Sequence, residues 1–325
     1  MTACVSCIEK QRAVLLAVLG EEVGRGSRYA LLDHPDHDNI GDSVIWAGEI
    51  ALLKQLTGRQ PSYAAGVHDY DQKQLERSHG DGVIFFHGGG NFGDLYPPFH
   101  AFKLRALQAF PGRRIVQMPQ SIHFNDPSGV AATAAAIEAH GNFRFLARDQ
   151  ATFDFAKSAF GCEVSLVPDA AFGLGPLKTS HRPSKRLLQF RRRDQESDTG
   201  GVAGSVDWPE EDVAAVHAVR WPSKLSSLKA GRWTKASRQV ARLNAVADYR
   251  VRVGIDLLSE GEKIICDRLH VHILSVLLGI PHVFIDNSTR KISAYYQTWT
   301  YDCPLAHYAA DEIEAKRIAA TLDPV

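Results

Sequence analysis

Arg268 and His270 stand where an apolar strand, Lys263-Ile-Ile-Cys266, gives way to an apolar helix that runs to Gly279-Ile-Pro281. A helix start offers free backbone N–H groups and the positive end of the peptide dipole, and both favour an anion. Arg268 adds a planar, permanent positive charge, and His270 a group that gains or loses a proton near neutral pH. With Asp267 beside them, this turn reads as an anion clamp next to an acid or base. Its second histidine, His272, falls within the helix and reads as a helix residue rather than a metal ligand.

Other residues are placed to converge on that turn. Gly82-Val-Ile-Phe-Phe86 is an apolar strand of the kind buried in parallel sheets, and it runs into His87-Gly-Gly-Gly-Asn-Phe-Gly-Asp94. Gly88, Gly89 and Gly90 followed by Asn91 exceed what a tight turn requires and read as a ligand-facing loop. No Gly-Lys-Ser/Thr phosphate loop is present. Arg148 follows the strand Phe143–Ala147, at the end of a parallel strand where open α/β sheets collect ligands. It serves either as a partner of Asp149 or as a substrate contact. Arg290 or Lys291 follows the strand Pro281–Ile285 in the same way, and Arg191-Arg-Arg193 follows Arg186–Phe190, although neighbours on an extended chain face alternate sides.

His34, Asp36, His37 and Asp38 lack a partner cluster at metal-ligand spacing and read as solvated loop and cap residues. Cys4 and Cys7 form a CxxC without a second pair or a redox strand context, so they read as part of a frayed N-terminus. Five cysteines at irregular spacing form no disulfide framework.

The elements that must position these residues alternate strand and helix throughout, which predicts a parallel, doubly wound α/β architecture. At 325 residues two domains are expected, with a boundary near residue 180 in the Gly/Pro/Ser-rich stretch 173–183. This gives an N-terminal domain over 1–180 and a C-terminal one over 181–325, whose last helix is a candidate to pack back on the first. A hydrophobic fraction of 45% and a charged fraction of 23% are those of an ordinary soluble protein. Basic and acidic residues balance at 37 each, so no global field draws the chain to nucleic acid. No apolar run reaches membrane-spanning length and no cleavage pattern is evident, so the expected location is cytoplasmic. Residues 220–242 carry seven basic side chains and no acidic one, with Trp221 and Trp233 among them. That patch reads as a solvated helix face, or as a peripheral contact with the inner face of an anionic membrane.

Asn39-Ile-Gly-Asp42, His87–Asp94, Arg148-Asp149, Asp267–His270 and Asp286–Lys291, in this order, resemble the polysaccharide pyruvyl transferase family. The likeness covers about residues 30–300. It implies two Rossmann-like domains facing across a cleft, similar to the GT-B glycosyltransferases. It also implies phosphoenolpyruvate as donor and two hydroxyls of a glycan, free or lipid-linked, as acceptor. The products are a pyruvate ketal and phosphate, with no metal or other cofactor. Carried over, Arg268, Leu269, Arg148 and Lys291 bind the donor, His270 is the acid, and Asp42 or Asp94 assists an acceptor hydroxyl. The competing readings are a nucleotide-sugar glycosyltransferase on the same fold and a non-catalytic glycan-binding protein.

Overall fold

The computed structural model describes residues 2–193, 202, 204–220, 234–286 and 290–323. The strands are β1 (Tyr29–Leu32), β2 (Tyr63–Ala65), β3 (Val83–Phe86), β4 (Gly89–Gly93), β5 (Ile115–His123), β6 (Phe143–Ala147), β7 (Glu163–Leu166), β8 (Leu188–Phe190), β9 (Ile264–Cys266), β10 (His282–Ile285) and β11 (Ala306–Ala309). The helices are α1 (Thr2–Gly20), α2 (Ile40–Thr57), α3 (Gln72–His79), α4 (Pro97–Ala109), α5 (Pro127–His140), α6 (Gln150–Ala159), α7 (through 213–220), α8 (Lys235–Ser259), α9 (Leu269–Leu278), α10 (Lys291–Tyr295) and α11 (Glu312–Thr321).

The chain is α/β, with two sheets whose strands all pair in parallel. The larger runs β2-β1-β3-β5-β6-β7, with β4 added to the far end of β5, and the smaller runs β11-β10-β9-β8. The expected strands at 27–33, 82–86, 114–118 and 143–147 are all present. Their side chains are almost wholly buried, as parallel strands covered by helices on both faces require. Where a glycine loop was expected, Gly89–Gly93 is a short strand, because β5 continues past Pro119 to His123 and offers it an edge. Gly93 has φ 119°, and a Cβ there would lie 1.8 Å from the His123 carbonyl oxygen. Only glycine fits.

One apolar core joins the two sheets. Ile40, Val44 and Ile45 of α2 share it with Val240, Leu243 and Ala247 of α8 and with Ile273 and Leu274 of α9. Small residues allow this contact: a Cβ on Gly254 would lie 2.7 Å from Ile40, and one on Gly48 only 2.0 Å from the Ala170 carbonyl oxygen. Ala170–Leu174 is a buried 3-10 turn, so the Gly/Pro-rich stretch begins inside the core and reaches the surface from Pro176 onward.

Both termini differ from expectation. The closing helix α11 packs on the smaller sheet, where Ala315 and Ala319 meet Ile265 and Val283. The element that reaches from the N-terminus to the C-terminal half is α1. Its Cys4 Sγ donates to the Val276 carbonyl at 3.1 Å, and Lys10 pairs with Asp302 at 3.1 Å. Cys4 and Cys7 are therefore buried members of a 19-residue helix, not a frayed end. Among the described residues no helix is long and apolar enough to cross a membrane. Most of the basic stretch 220–242, with both tryptophans, lies outside the described residues. In its described part Arg242 pairs with Asp69 at 3.1 Å and Lys235 with Asp71 at 3.9 Å.

Candidate active site

A cavity of about 630 Å³ opens where the carboxyl ends of both sheets meet. The first half contributes residues 35–39, Asp42, His87, Gly90, Asn91, Tyr96, Phe99 and Arg148. The second contributes Arg192, Arg193, Asp207, Trp208, Pro209, Arg268, Leu269, His270 and Lys291. Loops at the carboxyl ends of parallel strands are where such sheets take ligands.

His270 begins α9 and lies against Gly41, in the first turn of α2. A Cβ on Gly41 would stand 2.5 Å from Nδ1 of the imidazole. The other ring nitrogen, Nε2, is 3.6 Å from Asp169 Oδ2 and has no closer hydrogen-bond partner among the described residues. Asp169 is the hub beneath the cavity. Wholly buried, it takes a hydrogen bond from Arg148 Nη1 at 2.8 Å and another from the Ala171 amide at 2.9 Å. Burial would raise the pKa of its carboxyl, but His270, Arg148 and the Ala171 amide outweigh that and hold it well below the usual carboxylate range. It is an anion whose role is to place two donors.

Arg148 is thus paired with Asp169 rather than with Asp149, which instead caps α6 and accepts from Ser121 Oγ at 2.6 Å. Arg148 Nε also donates to Ser121 Oγ at 2.8 Å, so the guanidinium is locked on two sides. Its Nη2 lies 3.6 Å from the point a Cβ on Gly90 would occupy, and Lys291 Nζ lies 3.8 Å from that point. Two cations therefore meet over a residue with no side chain, an arrangement suited to a small anion.

Arg268 faces the same cavity with its fork engaged by Asp207, Nε to Oδ1 at 2.6 Å and Nη2 to Oδ2 at 2.8 Å. Asp207 was not singled out by sequence reasoning, and nothing local marks it. Asp267 turns away from the cavity to accept from the Arg192 amide at 2.8 Å. The arginine run divides, though not by strict alternation: Arg191 is buried against Glu312 of α11, while the neighbours Arg192 and Arg193 both reach the cavity wall beyond the end of β8.

Of the two candidate carboxylates, Asp42 lines the cavity and Asp94 does not. Asp94 closes a loop by accepting from the amides of Asn125 and Asp126 at 2.6 and 2.8 Å. Asp42 accepts from Asn39 Nδ2 at 2.8 Å. Burial opposes its charge, but His37, His270, His87 and Arg148 more than compensate and lower its pKa. Gly90 and Asn91 line the cavity, whereas Gly88 and Gly89 pack behind it. A Cβ on Gly88 would lie 2.4 Å from the Pro119 carbonyl oxygen, and one on Gly89, at φ 111°, 3.2 Å from Asp42 Oδ1. These two glycines let carboxylates approach the chain. The Asn91 amide is itself committed to Lys103, Asp33 and Gln120.

His272 is buried, hydrogen-bonded to His282 at 2.8 Å and to Thr300 at 2.9 Å. His34 is buried beside Trp46, with ring centroids 4.6 Å apart. Among the described residues no group of three or more His, Cys, Asp and Glu is arranged to hold a metal ion.

A family model described as polysaccharide pyruvyl transferase matches residues 39–289, which span every cavity residue from Asn39 to His270. The chain belongs to the polysaccharide pyruvyl transferase family. It is 30% identical to pyruvyl transferase 1 of Schizosaccharomyces pombe over 93% of this chain and 77% of that one. It is 31% identical to EpsO of Bacillus subtilis, whose name marks it as a candidate pyruvyl transferase, over 89% of this chain and 90% of that one. A solved structure of a Klebsiella pneumoniae protein of uncharacterised function superposes with a TM-score of 0.60 at 22% identity, over 93% of this chain and 99% of that one. That last likeness concerns the fold alone.

Gly41→Ala adds a single methyl group, touches no charge and must push the His270 ring aside. Its expected result is a loss of turnover of about tenfold to a hundredfold, since small displacements within a candidate active site are costly. The melting temperature should change by only a few degrees. Steady-state rates beside a thermal melt check it, and unchanged turnover would show that the ring position is unimportant.

Proposed function

We propose that this transferase moves the pyruvate unit of phosphoenolpyruvate onto two hydroxyls of one sugar in a polysaccharide or its precursor. The products would be a pyruvate ketal and inorganic phosphate. One observation carries the reading. Arg148 and Lys291 meet over Gly90 in the same cavity that holds Arg268 and His270 at the start of α9. Phosphoenolpyruvate is a compact polyanion, and guanidinium forks with a helix N-terminus suit its phosphate and carboxylate.

In this reading Arg148, Arg268, Leu269 and Lys291 seat the donor. Arg268, held by Asp207, presents a fixed face rather than a mobile one. His270, as imidazolium on Asp169, delivers a proton to C3 of the donor or to the departing phosphate. Protonation at C3 leaves C2 electrophilic. One sugar hydroxyl adds there, the C2–O bond to phosphate breaks, and the second hydroxyl closes the ketal. Asp42 orients an acceptor hydroxyl. Its lowered pKa suits a hydrogen-bond acceptor better than a strong base. Tyr96, Phe99 and Trp208 around the mouth offer flat apolar faces to a sugar ring.

Two domains meeting near residue 180 across a GT-B-like cleft belong to the same proposal, as do a cytoplasmic location and an acceptor that is free or lipid-linked. No cofactor is required by these steps, and membrane contact through 220–242 would suit a lipid-linked acceptor.

The test is phosphate release from phosphoenolpyruvate across a panel of glycan acceptors, with mass spectrometry of the product. A mass gain of one pyruvate less one water, matched to phosphate, is the expected result. Stabilisation by nucleotide sugars and not by phosphoenolpyruvate in a thermal shift would favour a glycosyltransferase instead.

A further inference from the structure

A second histidine faces the cavity on a carboxylate of its own. His87 follows β3, and its Nδ1 lies 2.8 Å from Glu49 Oε2 on α2. The other Glu49 oxygen accepts the Gly88 amide at 2.8 Å, so the carboxylate is fixed at both ends. Both side chains are buried, 2% and 0% exposed. Glu49 thereby sets the imidazole so that Nδ1 carries a hydrogen and Nε2 is the nitrogen left for exchange. Nε2 has no hydrogen-bond partner among the described residues, yet His87 forms part of the cavity wall. Leaving a buried ring nitrogen unpaired carries a desolvation cost. A purely structural histidine here would carry that cost without return. The position is also the carboxyl end of a central strand, as for Arg148.

We propose that His87, backed by Glu49, is a second proton-transfer group of this site and serves the phosphate end of the donor, while His270 serves C3. The proposal rests on the pyruvyl-transfer reading above, which calls for two proton deliveries and two proton removals. As the C2–O bond to phosphate breaks, its electron pair goes to the bridging oxygen. His87 gives that oxygen the Nε2 proton, and hydrogen phosphate departs. The cation left on C2 is shared with the first sugar oxygen. The second hydroxyl oxygen then bonds to C2, its proton passes to His87 Nε2, and the imidazolium is restored. His270 gives its proton to C3 and is replenished by the proton of the first hydroxyl. Two hydroxyl protons thus replace the two delivered, and neither an oxidant nor another co-reactant is consumed.

The charged surroundings favour the acidic form of His87. Burial alone would strip its proton, but Glu49, with Asp42 and Asp33 beyond it, outweighs burial and raises its pKa. The other titratable neighbours are His34, whose pKa burial pushes well down, Lys103, bound to Asp33 behind Asn91, and Asp169, whose charge adds to burial in raising the pKa of Glu49. A group that must be protonated to act gives a rate that falls on the alkaline side. For His87 that limb should lie above the ordinary histidine range, and removing the Glu49 charge should move it acidward.

The test measures phosphate release against pH for wild type, His87→Gln and Glu49→Gln, with a thermal shift by phosphoenolpyruvate as the binding control. His87→Gln is expected to lose about a hundredfold or more in kcat while phosphoenolpyruvate still stabilises it. Glu49→Gln keeps a side chain of the same size beside Nδ1. It should lose about tenfold and carry its alkaline limb to lower pH. Should His87→Gln fail to fold, Glu49→Gln decides alone: an unmoved pH profile overturns the proposal. Turnover of His87→Gln within about threefold of wild type overturns it as well. A wild-type protein that releases no phosphate with any acceptor would instead remove the pyruvyl-transfer reading itself.

Discussion

His270→Gln is expected to lower phosphate release from phosphoenolpyruvate by about a hundredfold to ten-thousandfold, the range a lost general acid costs. Donor binding, read as stabilisation by phosphoenolpyruvate in a thermal melt, should survive. Three features separate the two effects. Arg148 and Lys291, the cations that would hold the donor, meet over Gly90, and Arg148 is placed by Ser121 and Asp169 rather than by the imidazole. The ring's own support comes from Gly41 on one side and Asp169 on the other, at 3.6 Å. Glutamine keeps polar atoms near that place but cannot donate a proton as an acid. The loss should therefore fall on kcat, with the donor KM changed little. Turnover within threefold of wild type would end the acid assignment, and an equal loss of donor binding would make His270 a binding residue instead.

The residues of the candidate site were legible because local rules govern them. A polar Asp-Arg-Leu-His turn between an apolar strand and an apolar helix announces a helix start. Arg148 and Lys291 each follow a strand that is plainly buried. The rule that parallel sheets gather ligands at strand ends brought all of them to one cavity. Their partners were not legible. Asp207 engages Arg268 across 61 positions, and Glu49 engages His87 across 38, from the middle of a helix that looks like any other. Pairings of that kind are made by the packing of α2 and of the loop before α7, which no periodicity reports. Asp169 could have been found, since it lies a few residues past the end of β7, at the same carboxyl edge of the sheet as Arg148 past β6. The glycines misled in part. Three in a row signalled close approach correctly, but at Gly88 and Gly89 the approaching groups are the protein's own Pro119, Glu49 and Asp42, leaving Gly90 at the cavity. The start of the first helix, with Cys4 and Cys7, was misread for a related reason. A cysteine pair with no visible partner looks accidental until the C-terminal half lies against it.

Asp169→Asn should be more damaging than any other single exchange beneath the cavity, because one carboxylate serves two donors. Asparagine can still accept the Ala171 amide, but it leaves the Arg148 guanidinium, 3% exposed, without its counter-charge. Removing one member of a buried pair costs about 3–5 kcal/mol, chiefly through the charge left behind. In a chain of this size that corresponds to a melting temperature lower by roughly 5–10 °C at neutral pH. The sign of the pH dependence follows from the direction of the shift. The folded-state pKa of Asp169 lies below the unfolded value of 3.8, so its stabilisation is complete above that value. It disappears only as pH falls through the depressed folded pKa. The two proteins should therefore differ fully from pH 6 to 8 and converge only on strong acidification. Activity should fall with stability and for the same reason, since Arg148 and His270 both lose the group that places them. Equal melting temperatures at pH 7, measured side by side, would show that Ser121 and the backbone alone suffice to hold Arg148.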